Sequence, residues 1–299
     1  MRVFIAAFAA LLAARAATAH PDTPGLLADV NAQLARQPDN LDLLMQRGVL
    51  ETDEEYANYP QAIADLTAAL AKPGRLEALL FRATAYFRTG DLVRARADLD
   101  RYVKSGTTDA RAFELRAEVR VAQGDGAGAV EDLALAAQRA PRPEQYLRRA
   151  QLQGEAGAAA AALATLEDGL THVPTPELAA KVVDAAVAAR AFDRALDAIR
   201  RLEQDSARKE PWMLRRAEVL AAAGRLRESR TAHEQVLAAI ETRERAGGFV
   251  NQTQRLEKAR ALLALGRPEE ARRLFLELGP SARRLPGYDG VAAALGAAQ

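Results

Sequence analysis

Residues 79–99 read LLFRATAYFRTGDLVRARADL, and this stretch decides the fold. Leu79, Ala83 and Tyr86 recur at four and three residues, the spacing of one helix face. Gly90-Asp91 then interrupts the pattern, and Gly after a helical run is the expected stop because it takes the left-handed conformation without a Cβ penalty. Ala95 and Leu99 start a second helical face just beyond. The stretch predicts an antiparallel helical hairpin, helix A then helix B.

The same signature repeats along the chain. A small residue followed four positions later by a large one occurs at Ala62/Leu66, Ala95/Leu99, Ala129/Leu133, Ala162/Leu166, Ala195/Ile199 and Ala271/Phe275. The steps between the first five are 33, 34, 33 and 33, and Ser229/His233 follows 34 residues after Ala195. Upstream, a large residue precedes an Arg-small pair at Leu44/Arg47-Gly48, Leu79/Arg82-Ala83, Phe113/Arg116-Ala117, Tyr146/Arg149-Ala150 and Met213/Arg216-Ala217. Gly90, Gly124, Gly157, Gly224 and Gly266 mark the turns. Small residues facing each other let the helices of a hairpin approach closely, and one bare face per hairpin forces the hairpins to stack.

This arrangement resembles the tetratricopeptide repeat over roughly residues 24–279, with Pro38, Pro141 and Pro174 where the repeat's closing Pro belongs. The resemblance implies an all-α, right-handed α-solenoid of about seven helix-turn-helix repeats, with a capping helix at each end. The hairpins are expected near 41–73, 75–107, 108–141, 142–174, 175–207, 209–248 and 249–279. Residues 20–40 should hold a lone capping helix, and 280–299 a tail with a short helix over Val291 to Leu295. Three departures are visible: extra positions at 53–59, Arg190 where Gly is usual, and a step of 42 from Ser229 to Ala271 that predicts a long helix B in the sixth hairpin.

Composition agrees with an all-helical class: 49% hydrophobic, 27% charged and only 5% aromatic, with Ala and Leu dominating the apolar set. Arg2, the uncharged run Val3 to Ala14, and Ala17-Thr18-Ala19 read as a signal peptide spanning residues 1–19, cleaved after Ala19. Twelve helical residues reach roughly 18 Å, short of the roughly 30 Å hydrocarbon core, and no later segment is long and apolar enough, so no integral membrane segment is expected after cleavage. The mature chain would carry about −1 net charge, since the removed segment holds Arg2 and Arg15 and no acid. Arginines interleaved with acids read as solvated helix faces, and nucleic acid is not an expected partner.

Catalytic and metal constellations fare poorly. Gly124-Asp125-Gly126-Ala127-Gly128 lacks a dinucleotide fingerprint's spacing and sits in a turn. His233-Glu234 opens like a zinc-protease helix, but position 237 is Leu, so His233 reads as a core histidine. Cleavage would leave His20 as a terminal amine and imidazole without a third ligand. Asn251-Gln252-Thr253 matches the glycosylation sequon. No Cys, Walker loop or Gly-x-Ser-x-Gly elbow exists, so neither an enzyme nor a cofactor is expected.

The resemblance instead implies a protein or peptide partner held on the concave face by helix A residues. Met45, Val49, Phe81 and Leu115 stand where the best-known variant places a carboxylate clamp, so that clamp is not expected. The candidate surface has an apolar half, Met45, Leu80, Phe81, Thr84 and Phe87, and a polar half, Glu118, Arg148, Gln151, Asp184 and Glu218. The stripe Leu80, Thr84, Phe87 is either a binding surface or a contact with the next hairpin. Two functions follow: a periplasmic adaptor or assembly scaffold, or an obligate structural subunit of a cell-envelope or secretion complex. Finally, Arg47, Arg82 and Arg116 accompany Asp65, Asp98 and Asp132 at matching positions, which predicts three structural ion pairs.

Overall fold

The structure is a computed structural model that describes residues 23–296. The proposed signal peptide, its cleavage site and His20 lie outside the described residues. The described residues form sixteen α-helices and two short 3-10 turns, with no strand among them. A lone helix α1 (Thr23–Leu34) precedes seven hairpins. Their helices are α2 (Leu41–Leu50) and α3 (Tyr59–Ala69), α4 (Ala78–Arg88) and α5 (Leu92–Lys104), α6 (Ala110–Ala122) and α7 (Gly126–Arg139), α8 (Pro143–Glu155) and α9 (Ala159–His172). There follow α10 (Pro176–Ala188) and α11 (Phe192–Asp205), α12 (Glu210–Ala222) and α13 (Leu226–Arg245), α14 (Gln252–Ala264) and α15 (Pro268–Leu276), then α16 (Tyr288–Ala294). The contacts divide the chain into two compact units, residues 23–140 and 141–296.

Local chemistry sets the helix ends. Asn40, Asp91, Asp109, Asp125 and Thr175 cap α2, α5, α6, α7 and α10 by accepting a backbone N–H of the first turn, which satisfies one of the donors a helix start leaves open. Between A and B helices the chain passes through positive φ, +82° at Gly90 and +81° at Gly124. In the fifth hairpin Arg190 takes that place with φ +55°, a conformation that costs a side-chain-bearing residue energy. The extra positions in the first hairpin form a 3-10 turn, Glu54–Tyr56, and the sixth helix B runs to 20 residues. No described helix is long and apolar enough to cross a membrane.

The repeated small/large pairs sit at the centre of each hairpin: Ala62, Leu66, Ala95, Leu99, Ala129, Ala195 and Ile199 are fully buried. Helices approach closely at Gly48, where a Cβ would stand 2.7 Å from Leu66 Cγ, and at Gly169, where it would stand 2.6 Å from Tyr146 Cγ. In the first unit Val30 and Leu34 of α1 pack with Leu43 and Leu50, closing that end of the core. In the second unit Val291 and Leu295 join the cluster built by Leu256, Leu262 and Phe275, and the Phe275 and Tyr288 rings lie 4.8 Å apart. Each end of the repeats is thereby covered by a helix of its own, as stacked repeats require.

The three ion pairs form, and each is bidentate. Arg47 Nε and Nη2 donate to Asp65 at 2.6 and 2.9 Å, Arg82 to Asp98 at 2.8 and 2.7 Å, and Arg116 to Asp132 at 2.9 and 2.6 Å. The remaining nitrogen, Nη1, reaches the preceding element: Asn31 on α1 at 3.1 Å, Thr67 on α3 at 2.9 Å, Asp100 on α5 at 3.0 Å. One guanidinium per hairpin therefore ties helix A both to its own helix B and to the helix before it. In the second unit the acid is replaced, by Thr165 in the fourth hairpin, and Arg149 Nε is buried without a hydrogen-bond partner.

Candidate functional site

The apolar half of the candidate surface is largely occupied by the protein itself. Leu80 is 4% exposed and belongs to a core cluster with Ala110, Ala112 and Phe113 of the next hairpin, which corrects its reading as a binding residue. Phe87 packs on the same cluster, and Met45 and Phe81 pack on the one formed by Val49, Ala62, Leu66 and Ala78. Arg111 covers Phe81 from 5.9 Å, and the Thr84 hydroxyl donates to Leu80 O at 3.0 Å. An A helix in a stack needs two apolar stripes, one for its own helix B and one for its neighbour. The stripe Leu80, Thr84, Phe87 serves the neighbour. Glu118 on α6 is half-buried.

Three residues of the polar half, Arg148, Gln151 and Asp184, line a groove. In the second unit a cavity of about 640 Å³ lies along α8, α9 and α10. Leu147, Ala150, Ala162, Leu166 and Ala185 line its floor and walls, together with Gly154 and Ala188. Its rim carries Glu144, Arg148 and Gln151 from α8 and Glu177, Lys181 and Asp184 from α10. Arg148, Gln151 and Asp184 were legible as site residues in the sequence. The small wall residues were not, although the run Ala158 to Ala162 is their signal: side chains of one carbon leave space that larger ones fill.

The groove's polar residues are partly engaged. Arg148 Nη1 donates to Gln151 Oε1 at 3.2 Å, and Gln151 Nε2 donates to Glu155 at 2.8 Å. Asp184 accepts from Arg215 of α12 at 2.8 Å, while Lys181 Nζ lies 4.0 Å from it. Glu218, also on α12, pairs with Arg260 of α14 and lies 3.7 Å from Arg215. A smaller cavity of about 340 Å³ sits there, among Arg208, Arg215, Glu218, Glu257 and Arg260. Burial pushes the Glu257 carboxyl up, against the pull of Arg208, which donates to it at 2.6 Å.

The other constellations resolve as structure. Gly124 makes the turn, and Asp125 accepts from Gly128 N at 2.8 Å as the cap of α7. His233 is 5% exposed, its Nδ1 2.9 Å from Ser229 O, and burial holds its imidazole below the usual pKa. His172 ends α9 and stacks on Tyr146. Asn251 of the sequon caps α14 in a reciprocal box with Gln254. Among the described residues no three His, Asp or Glu stand together as metal ligands would.

A tetratricopeptide-repeat family model matches residues 55–119, which span the turn of the first hairpin through helix A of the third. That segment matches the tetratricopeptide repeat in sequence, and the described hairpins share its fold. Its repeats are similar to the C-terminal part of a TPR repeat-containing protein from Cytophaga hutchinsonii, at 16% identity, with 85% of this chain and 92% of that one covered and a TM-score of 0.52. They are also similar to the structure of Naa15/Naa10 bound to HypK-THB, at 13% identity, 86% of this chain but 39% of that one, and a TM-score of 0.57. A tetratricopeptide repeat protein from Parabacteroides merdae matches at 16% identity over 86% of this chain and 97% of that one, with a TM-score of 0.46. The likenesses with TM-scores of 0.52 and 0.57 show the fold. No curated protein matches the sequence.

Proposed function

We propose that this chain is an exported, non-catalytic scaffold that holds a segment of a partner polypeptide in the groove along α8, α9 and α10. The observation that carries the reading is the groove itself, an apolar floor of small residues inside a charged rim, the combination that peptide-binding sites use for affinity and orientation. Export to the periplasm rests on Arg2, the run Val3 to Ala14 and Ala17-Thr18-Ala19, and amino-terminal sequencing that begins at His20 would support it. An intact Met1 in a cytosolic fraction would overturn it.

Gly154→Trp tests the binding reading. Nothing stands within 4 Å of a Cβ added at Gly154, so the indole fills the groove without straining the helix. A partner enriched by tagged wild type from its native host should be lost with this variant while the melting temperature holds. Retention of the same partner would sink the reading.

The alternative, an obligate subunit of an envelope complex, is favoured by one feature: Phe249, 84% exposed beyond Gly247-Gly248, and Leu276, 77% exposed, show large apolar side chains to solvent. A chain that purifies alone as a stable monomer contradicts that alternative.

A further inference from the structure

Along the A helices of the second unit, base and acid alternate three residues apart: Lys181 and Asp184 on α10, Arg215 and Glu218 on α12. Arg215, at the place of Lys181, reaches back to Asp184 at 2.8 Å, and Glu218 is likewise held from the next A helix by Arg260, there from the position that matches Glu218 itself. On α8 the acid's place is taken by Gln151, which carries no charge. Lys181 therefore finds no acid behind it. Its nearest carboxylate is Asp184 at 4.0 Å, already held by Arg215. The 640 Å³ groove opens at this missing rung.

One turn toward the helix N-termini the sign reverses. Glu144 and Glu177, at matching positions 33 residues apart, line the same groove, and neither has a hydrogen-bond or ion-pair partner among the described residues. A segment of one sign meets a like charge at one end of this rim, which is how interfaces exclude wrong partners.

We propose that the groove selects a partner segment by a charge pair: an acidic side chain that supplies Lys181 with the missing rung, and a basic side chain facing Glu144 and Glu177, with an apolar side chain on the floor of Leu147, Ala150 and Leu166. Four helical residues rise about 6 Å, so the two rim sites are spaced like residues i and i+4 of a helix or i and i+2 of a strand. This rests on the groove being the binding site.

A random 12-residue peptide display library, selected on wild type, on Gln151→Glu and on Glu144→Gln/Glu177→Gln, tests it, with thermal unfolding as the fold check. Wild type should enrich acid–base pairs two or four positions apart beside an apolar residue. Gln151→Glu, which completes the rung internally, should lose the acid preference and keep the base. The double variant should do the reverse, and a wild-type winner should bind each about tenfold more weakly. Winners that Gly154→Trp abolishes but that carry no such pair would overturn the charge inference and leave the groove standing. An unchanged acid preference in a folded Gln151→Glu protein also overturns it. No winner on wild type would remove both.

Discussion

Three guanidinium nitrogens converge on the buried carboxylate of Asp132: Arg116 Nη2 at 2.6 Å, Arg116 Nε at 2.9 Å and Arg120 Nη1 at 3.2 Å. Asp132→Ala removes the one buried anion that Arg116 and Arg120 share, leaving them only solvent-exposed carboxylates within 4 Å, and is expected to cost about 3 kcal/mol. Asp100, half-exposed on α5, also pairs with Arg116 at 3.0 Å, yet solvent screens it and Asp100→Ala should cost under ~1 kcal/mol. Denaturant unfolding of the two variants checks the contrast, and equal costs would contradict it. The Arg–Asp pairs were legible because both partners recur at the repeat period. Their third contacts were not, because Asn31, Thr67 and Asp100 share a place but no chemistry.

Glu51 was illegible for a related reason, since a lone Glu at the end of an A helix reads as solvated. It is 7% exposed with Oε2 lacking a hydrogen bond, and burial pushes its carboxyl up to about 7, with Arg47 pulling down and Asp65 adding to the rise. Below about pH 4.5 it is protonated folded and unfolded alike; between there and about 7 only the folded chain keeps the proton, so stability falls as pH rises. Above about 7 the full cost of a buried anion is present. Glu51→Gln should remove this slope and gain up to about 3 kcal/mol at pH 8. Melting curves of both proteins from pH 4 to 8 decide, and a constant difference across the range would contradict the assignment.

At the scale of the helix, the hairpin was the easiest thing to read. Ala129 is fully buried between α6 and α7, and Ala129→Leu should overpack the hairpin by roughly 1–3 kcal/mol. An unchanged melting temperature would mean that the helices do not meet there. Harder to read was which side of helix A faces solvent, because the neighbour's stripe and a binding stripe have the same period. The packing of Leu80, Phe81 and Phe87 resolves this for α4. Leu80→Ala should cost about 2–5 kcal/mol and Phe87→Ala about 2, both as lost stability, with partner affinity within about twofold of wild type. A thirtyfold affinity loss at unchanged stability would restore Phe87 to the binding surface. Arg190 shows that a repeat tolerates a departure from its glycine rule at +55°, where backbone geometry and not residue type keeps the turn.

At the scale of the molecule, fold and site were legible to different degrees. A fold repeated seven times announces itself through period, since every hairpin solves the same packing problem. A binding groove is where the repeats differ, as Gln151 does from Asp184 and Glu218, and a single such difference carries no period. Arg148, Gln151 and Asp184 could be placed by register, whereas the cavity beside them depends on the summed smallness of Ala150, Gly154, Ala159 and Ala162. The measurement that bears most directly on the scaffold reading is site-specific photocrosslinking in living cells. A benzoylphenylalanine at Gln151 or Ala188 places the probe in the groove, and one at Val93 or Leu226, 76% and 69% exposed near the starts of B helices, places it on exposed surface elsewhere. One polypeptide adduct is expected at the groove positions and none at the other two. Absence of any adduct at Gln151 and Ala188, or the same adducts at all four positions, would contradict the scaffold reading.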